Sequence, residues 1–219
     1  MQRLKSFLLN TPFSEFLGRS LLMARNKFFD IRHGINTDGN IQLRELNIKS
    51  SNVTFGFFYE AIDPKLFNRI MKSFEIRPEG FVFVDFGSGK GRVLFMASEY
   101  PFKEIVGVEF SPELHAVAQN NIRKYKSGSQ KCKEVKSVCM DAINYPIPED
   151  PVILFFNSPF TGEVLAPVLA NIQKSMEKHP REVFIVYVHP RFDHLMQSNA
   201  ALIKIASSPW HSLYKGVRG

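Results

Sequence analysis

Hydrophobic residues along the chain gather into short runs at 81–84, 105–108, 152–156 and, after Glu182, through the strand candidate 182–188, with a half-apolar run at 135–140 between them. Apolar runs of this length without alternation mark strands covered on both faces, as parallel strands are. The intervals carry helix signals. Ser111 is a good N-cap, Pro112 fits the first turn and Glu113 suits the positive end of the dipole, which predicts a helix over 112–125. Residues 162–178 keep helical spacing, with Pro167 expected to kink them. Asp63 caps a further helix over 64–74. Residues 202–207 and 213–217 read as a closing antiparallel pair with Pro209 and Trp210 at its tip. Strands alternating with helices predict an α/β unit built on a mostly parallel, seven-stranded sheet with helices on both faces.

A different pattern precedes the sheet. Phe13, Phe16, Leu17, Leu21, Met23 and Ala24 recur at helical spacing after Thr11 and Pro12, predicting one or two amphipathic helices within residues 1–30. Residues 33–54 are rich in Gly, Asn, Asp and Ser and read as loop with short extended pieces. The chain therefore divides into a helical arm packing on the core, 1–54, and a main domain, 55–219, the two forming one compact unit.

The junction of the first sheet strand with its helix is the most informative stretch. Asp85 ends the strand, and Gly87, Gly89 and Gly91 follow at alternate positions. These glycines remove the β-carbons that would keep a ligand off the backbone, and the helix start presents amides to it. A dinucleotide fingerprint needs a glycine at position 92, which is Arg92, and a phosphate-binding P-loop needs glycine at 84 and Ser or Thr at 91. Both are excluded. Two further strands end in acids. Glu109 stands about twenty residues past the glycines, in the register of a ribose-binding carboxylate, with Phe110 beside it to pack on a base. Asp141 and Ala142 follow the next strand, where an acid can accept from an exocyclic amine. The fourth strand ends in Asn157, Ser158, Pro159 and Phe160.

These residues carry a resemblance. The run from Asp85 to Arg92, the triplet Val108, Glu109 and Phe110, and the tetrad Asn157 to Phe160 resemble class I S-adenosylmethionine-dependent methyltransferases. The nearest likeness is to a bacterial subgroup of unknown substrate, with distant similarity to the non-SET histone-lysine methyltransferases. The resemblance spans roughly residues 55–190 and implies a Rossmann-like fold. It implies S-adenosyl-L-methionine as cofactor. Asp85 would anchor the methionine ammonium, Gly87, Ser88, Gly89 and Gly91 would line the amino-acid part, Glu109 and Phe110 would take ribose and base, and Asp141 and Ala142 the adenine. The tetrad resembles the N-P-P-F/Y of amino-group methyltransferases, with Ser158 where proline stands. It implies acceptor-side roles for Asn157, Pro159 and Phe160, Asn157 also touching the cofactor. Such enzymes often fold an N-terminal segment over the cofactor. Phe55, Phe57 and Phe58 are candidates for that lid, and Tyr59 and Glu60 are the polar candidates nearest the methionine end.

Composition narrows this reading a little. The 219 residues are 44% hydrophobic and 22% charged, ordinary for a folded chain. A net charge of +7 makes an acidic partner such as nucleic acid an open expectation, although the cations are scattered. Cys132 and Cys139 form neither a metal-ligand pattern nor a CxxC pair, and His189 follows its strand with no ligand spacing to other histidines. No metal is expected, nor a membrane helix, and a cytoplasmic location is. The expected activity is methyl transfer to an unidentified acceptor, an amine among the candidates. Small molecule, protein and nucleic acid all stay open as acceptor. The alternatives are a non-catalytic S-adenosylmethionine-binding protein and a nucleic-acid-binding module. Gly87→Val is expected to abolish cofactor binding and leave the fold largely intact.

Overall fold

The computed structural model describes residues 13–41, 59–73 and 75–217, with the side chains of 13–19, 40, 59 and 60 outside the description. One helix, α1 (Phe13–His33), opens the described chain. Two short strands, β1 (Asn40–Ile41) and β2 (Tyr59–Glu60), pair antiparallel across the predicted arm boundary. Helix α2 (Pro64–Lys72) follows, with Asp63 accepting from the Lys65 amide at its N-terminus. Then come β3 (Val82–Phe86), α3 (Arg92–Ala97), β4 (Glu104–Glu109), α4 (Pro112–Lys124), β5 (Val135–Cys139) and β6 (Val152–Asn157). Helix α5 (Gly162–Lys178), β7 (Val183–Val188), α6 (Asp193–Gln197), β8 (Leu202–Ser207) and β9 (His211–Gly216) complete the chain. Strand types and order agree with the reading of the sequence, and the ends differ by a few residues.

The seven strands run β5-β4-β3-β6-β7-β9-β8. β5 to β7 are parallel, and β9 lies antiparallel to both β7 and β8. The chain winds outward from β3 to β5, then returns to place β6 on the other side of β3. This reversal opens a crevice at the carboxyl ends of the central strands. Register aligns that edge: Phe86 lies beside Val108 and Phe156, so Gly87, Glu109 and Asn157 emerge together. Val188 lies beside Asn157, which places His189 next along the edge.

Alternation along β3 divides the core. Val82, Val84 and Phe86 face Leu165, Val168 and Ile172 of α5. Phe83 faces the other way, toward Phe67, Ile70 and Met71 of α2 and Leu94 of α3. Burying such side chains on both faces contributes about 1.5–3 kcal/mol each relative to exposure and makes the central strands rigid. Pro167 is accommodated within α5.

The arm departs from expectation. Among its described residues Leu21, Met23, Phe28 and Ile31 are exposed, while Asn26, Asp30 and His33 are buried and Phe29 packs on the core. The helix is held by polar partners, and the reason lies in Arg92 (below). The Phe55, Phe57 and Phe58 lid candidates lie outside the described residues. Among the described residues, no helix is long and apolar enough to cross a membrane.

Candidate functional site

The glycine turn has the conformation its spacing demands. Gly87, Gly89 and Gly91 take φ of +72°, +53° and +90°, a left-handed region that side chains disfavour. The Gly87 and Ser88 amides both donate to the Val108 carbonyl, at 2.9 and 3.1 Å, which pins the turn to β4. A Cβ on Gly87 would lie 2.3 Å from the Cβ of Pro159. The turn and the β6 tetrad therefore touch. This corrects one expectation: Gly87→Val collides with Pro159 as well as with any ligand. It is expected to lower the melting temperature and to remove cofactor binding, checked by thermal denaturation alongside titration; a variant with native stability would contradict the contact. At Gly91 the φ of +90° rather than lack of room calls for glycine, since a Cβ there would meet Phe95 and Ala118 at ordinary contact distances of 3.4 and 3.5 Å. Ser88 turns toward the sheet, where a Cβ on Gly107 would lie 2.6 Å from its Oγ. That Oγ is buried and, among the described residues, has no hydrogen-bond partner.

Two acids sit under the turn. Glu109 accepts from the Gly89 amide through Oε2 and from the Ser111 amide through Oε1, both at 2.8 Å. Burial pushes its carboxyl up to about 7, although backbone N–H groups of Ser111, Gly89 and Phe110 pull the other way. Asp85 is also buried, and desolvation together with the Glu109 charge holds its carboxyl well above the usual range. Two carboxyl groups in one dry place are costly for a bare protein and useful toward a cationic or hydroxyl-bearing ligand.

Beside them lies a narrow slot walled by Gly87, Phe110, Asp141, Ala142, Pro159 and Phe160. Stacked Phe86 and Phe156, with centroids 4.9 Å apart, belong to the core on this side, and Phe160 packs edge-on to Phe156. Asp141 caps a single turn, its Oδ1 accepting from the Ile143 amide at 3.0 Å. The slot separates two groups that the sequence reading joined. Pro159 and Phe160, expected on the acceptor side, wall the slot with the adenine candidates. Asn157 and Ser158 instead line a second opening, because the chain turns sharply at Ser158 (φ +42°).

That opening is a broad cleft of about 1040 Å³ between α1, α2, the tips of β6 and β7, and the β8–β9 turn. Ser158 and His189 are the non-glycine residues with positive φ among those described, and they touch: the Ser158 hydroxyl donates to the His189 carbonyl. The His189 amide donates to the Trp210 carbonyl at 2.8 Å. Backbone conformations of this kind cost of order 1–3 kcal/mol each and cluster at working sites. The side chains of Tyr59 and Glu60 are outside the description, so the methionine-end roles expected of them stay expectations.

The residues that sequence reasoning missed lie on the outer side of the turn. Arg92 is buried and donates to Thr37 Oγ1 (2.7 Å), to Asn26 Oδ1 (2.8 Å) and to Asp30 Oδ1 (3.2 Å), with its guanidinium over Phe29. Asp30 also accepts from the Thr37 and Asp38 amides. Lys90 donates to the Asp38 carbonyl at 2.7 Å, and Asn121 donates to the Asn36 and Lys90 carbonyls. A buried guanidinium requires such partners, so the arm presents Asn26 and Asp30 inward beside Phe29. The signal was present in Lys90 and Arg92, which follow glycines where a ligand-binding turn needs no cation.

Comparison with known proteins bears on this arrangement. The chain resembles structures of a Pyrococcus horikoshii OT3 protein, PH0226 (17% identity, TM-score 0.50, 69% of this chain and 88% of that one). It also resembles the mitomycin 7-O-methyltransferase MmcR (10% identity, TM-score 0.52, 70% of this chain and 53% of that one). At these identities the likeness concerns the fold, which is that of class I methyltransferases. No curated protein matches the chain in sequence. The profile of the histone methylation protein DOT1 matches residues 40–179, a span from β1 past the end of α5 that includes the glycine turn, both buried acids and the tetrad, and by that match the chain belongs to the DOT1 family.

Proposed function

We propose that the chain is an S-adenosylmethionine-dependent methyltransferase. The observation that carries this is the meeting, at one sheet edge, of a left-handed glycine turn, two buried acids and a slot walled by Phe110 and Asp141. The residues fit the cofactor. Asp85 would hold its ammonium, Glu109 its ribose hydroxyls, and Phe110, Asp141, Ala142 and Phe160 its adenine. The cofactor supplies a methyl group already activated by a sulfonium, so the protein's task is placement and exclusion of water.

The chain's own residues divide that task. The turn and its acids hold one side. Asn157, at the tip of β6 on the wall of the cleft, orients the acceptor and keeps its lone pair in line. An aliphatic amine acceptor arrives protonated at neutral pH and must lose that proton before its lone pair can react. DOT1 is described as a histone methylation protein. That acceptor is not transferred to this chain, because a shared fold does not fix a substrate.

Calorimetric titration with S-adenosylmethionine and S-adenosylhomocysteine, with NAD as control, tests the reading. Micromolar binding of the first two and none of NAD is expected; a folded sample binding neither would overturn it. Labelled methyl transfer into cell extract then separates an enzyme from a silent binder. Asn157→Ala is expected to reduce turnover about tenfold, the worth of one oriented hydrogen bond, and to change cofactor affinity little. The reverse pattern would assign Asn157 to the cofactor alone.

A further inference from the structure

The cleft that reaches Asn157 is built for more than a neutral acceptor. Lys65 and Arg69 stand one helical turn apart on α2 and both line it. Arg191, just past β7, lines the opposite wall. Against these three cations the described lining sets one carboxylate, Asp63, and Arg25 already binds it at 2.7 Å. The Nε of Arg25 is buried and, among the described residues, has no hydrogen-bond partner. A bound oxygen atom would satisfy it.

At the end of the cleft the β8–β9 turn presents Trp210, about half exposed. Its position is fixed. Its amide donates to Ser208 Oγ at 3.1 Å, and its carbonyl accepts from His189. The His189 ring meets the indole edge-on at 6.2 Å. An indole carried on a pinned backbone in the open offers a flat face for stacking. Arg69 is in electrostatic reach of this turn: after burial, its charge is what lowers the neighbouring His211 imidazole. The cleft volume of about 1040 Å³ is at the top of the roughly 300–1,000 Å³ range of small-molecule sites, which favours an extended acceptor.

We propose that this cleft binds a nucleotide unit of the methyl acceptor, with a base on Trp210 and phosphate on Lys65, Arg69 and Arg191, leading the reactive atom to Asn157. The proposal rests on the methyltransferase reading for its chemistry. The sulfonium methyl carbon forms a bond to an acceptor lone pair as the S–CH3 bond breaks, leaving a neutral thioether and releasing the acceptor's proton to water. A polynucleotide and a free nucleotide share the recognised chemistry, and the volume points to the polynucleotide.

The test is fluorescence anisotropy of a labelled single-stranded RNA of about 12 nucleotides, within known site sizes, with saturating S-adenosylhomocysteine. Three phosphate contacts predict about a twentyfold loss of affinity between 50 and 200 mM salt, from a slope near −0.7 per contact. Trp210→Ala is expected to weaken binding about tenfold. The pair Lys65→Glu and Arg69→Glu is expected to weaken it at least as much and to flatten the salt dependence. Calorimetry with S-adenosylhomocysteine should return the wild-type affinity for all variants, showing that the fold and cofactor site persist. AMP competing as well as RNA supports a free nucleotide acceptor, and RNA alone competing supports a polynucleotide. Inorganic phosphate competing as well as AMP, with Trp210→Ala unchanged, would overturn the stacking claim. RNA binding that is absent, or indifferent to the variants, in protein that binds S-adenosylhomocysteine would overturn the proposal and spare the cofactor reading. Wild-type protein that fails to bind S-adenosylhomocysteine would overturn that reading, and with it the cleft's acceptor role.

Discussion

Arg92→Met is expected to cost the folded protein about 3–5 kcal/mol, the usual penalty for removing one partner of a buried ion pair. In a chain of this size that lowers the melting temperature by on the order of 10 °C. The deleted guanidinium takes with it hydrogen bonds to Thr37, Asn26 and Asp30, and leaves the Asp30 carboxylate in a buried place. Because the contact ties α1 to the glycine turn, the arm should loosen first. Limited proteolysis should then cut near residues 34–39 before the sheet is touched. Asp30→Leu alone should cost a similar amount, by stranding the guanidinium. The double variant Arg92→Met/Asp30→Leu should recover part of the loss, since two apolar groups in place of a buried pair are often tolerated. A single variant with an unchanged urea midpoint and unchanged cleavage would show that the arm is held by something else.

The second large effect is a pH dependence with opposite signs for stability and cofactor binding. Glu109 is raised to about 7, and Asp85 is raised as well. In the unfolded chain both ionise in the ordinary carboxyl range. Between that range and pH 7 the unfolded state therefore binds fewer protons than the native state, and stability falls as pH rises. For Glu109 the shift from 4.5 to about 7 corresponds to about 3 kcal/mol, present below pH 4 and lost above pH 7. Cofactor binding runs the other way, because ribose hydroxyls and an ammonium need ionised acceptors. Its affinity should rise through pH 6–8. Thermal melts and titrations across this range check both arms. Glu109→Gln should flatten the stability profile. One of the Gly89 and Ser111 amides then faces an NH2 group, so absolute stability should not increase. The same variant should weaken cofactor binding about tenfold to a hundredfold, as for a lost charged hydrogen bond. A melting profile flat from pH 5 to 8 in the wild type would sink the assignment.

The sheet was legible because its central strands, β3, β4, β6 and β7, are apolar along most of their length. The turn was legible for a related reason: three left-handed positions in five residues leave few choices but glycine. The acids at 85, 109 and 141 follow from the turn by register, since parallel strands present their carboxyl ends together. What stayed hidden was set by partners distant in sequence. The α1 apolar spacing suggested a hydrophobic docking face, yet Arg92, more than sixty residues on, selected Asn26 and Asp30 instead. Phe160 was assigned to the acceptor by position in its tetrad. A left-handed backbone at Ser158, which residue type does not announce, turned it into the wall of the slot. Gly107 drew no notice as a strand glycine, although Ser88 leaves no room there for a side chain.

The turn between Gly87 and Arg92 thus has two occupied sides. Gly87 faces the slot, while Lys90 and Arg92 grip the arm. A ligand that quiets the turn from within also steadies the surface on which the arm rests, and an arm that is seated hands the ligand a turn already set. Any coupling that passes through the turn is reciprocal: the factor by which a ligand changes the seating of the arm is the factor by which seating changes ligand affinity. A partner that shifted the seating of α1 through its exposed Leu21, Phe28 and Ile31 would reach the turn from outside the pocket, without touching a residue inside it.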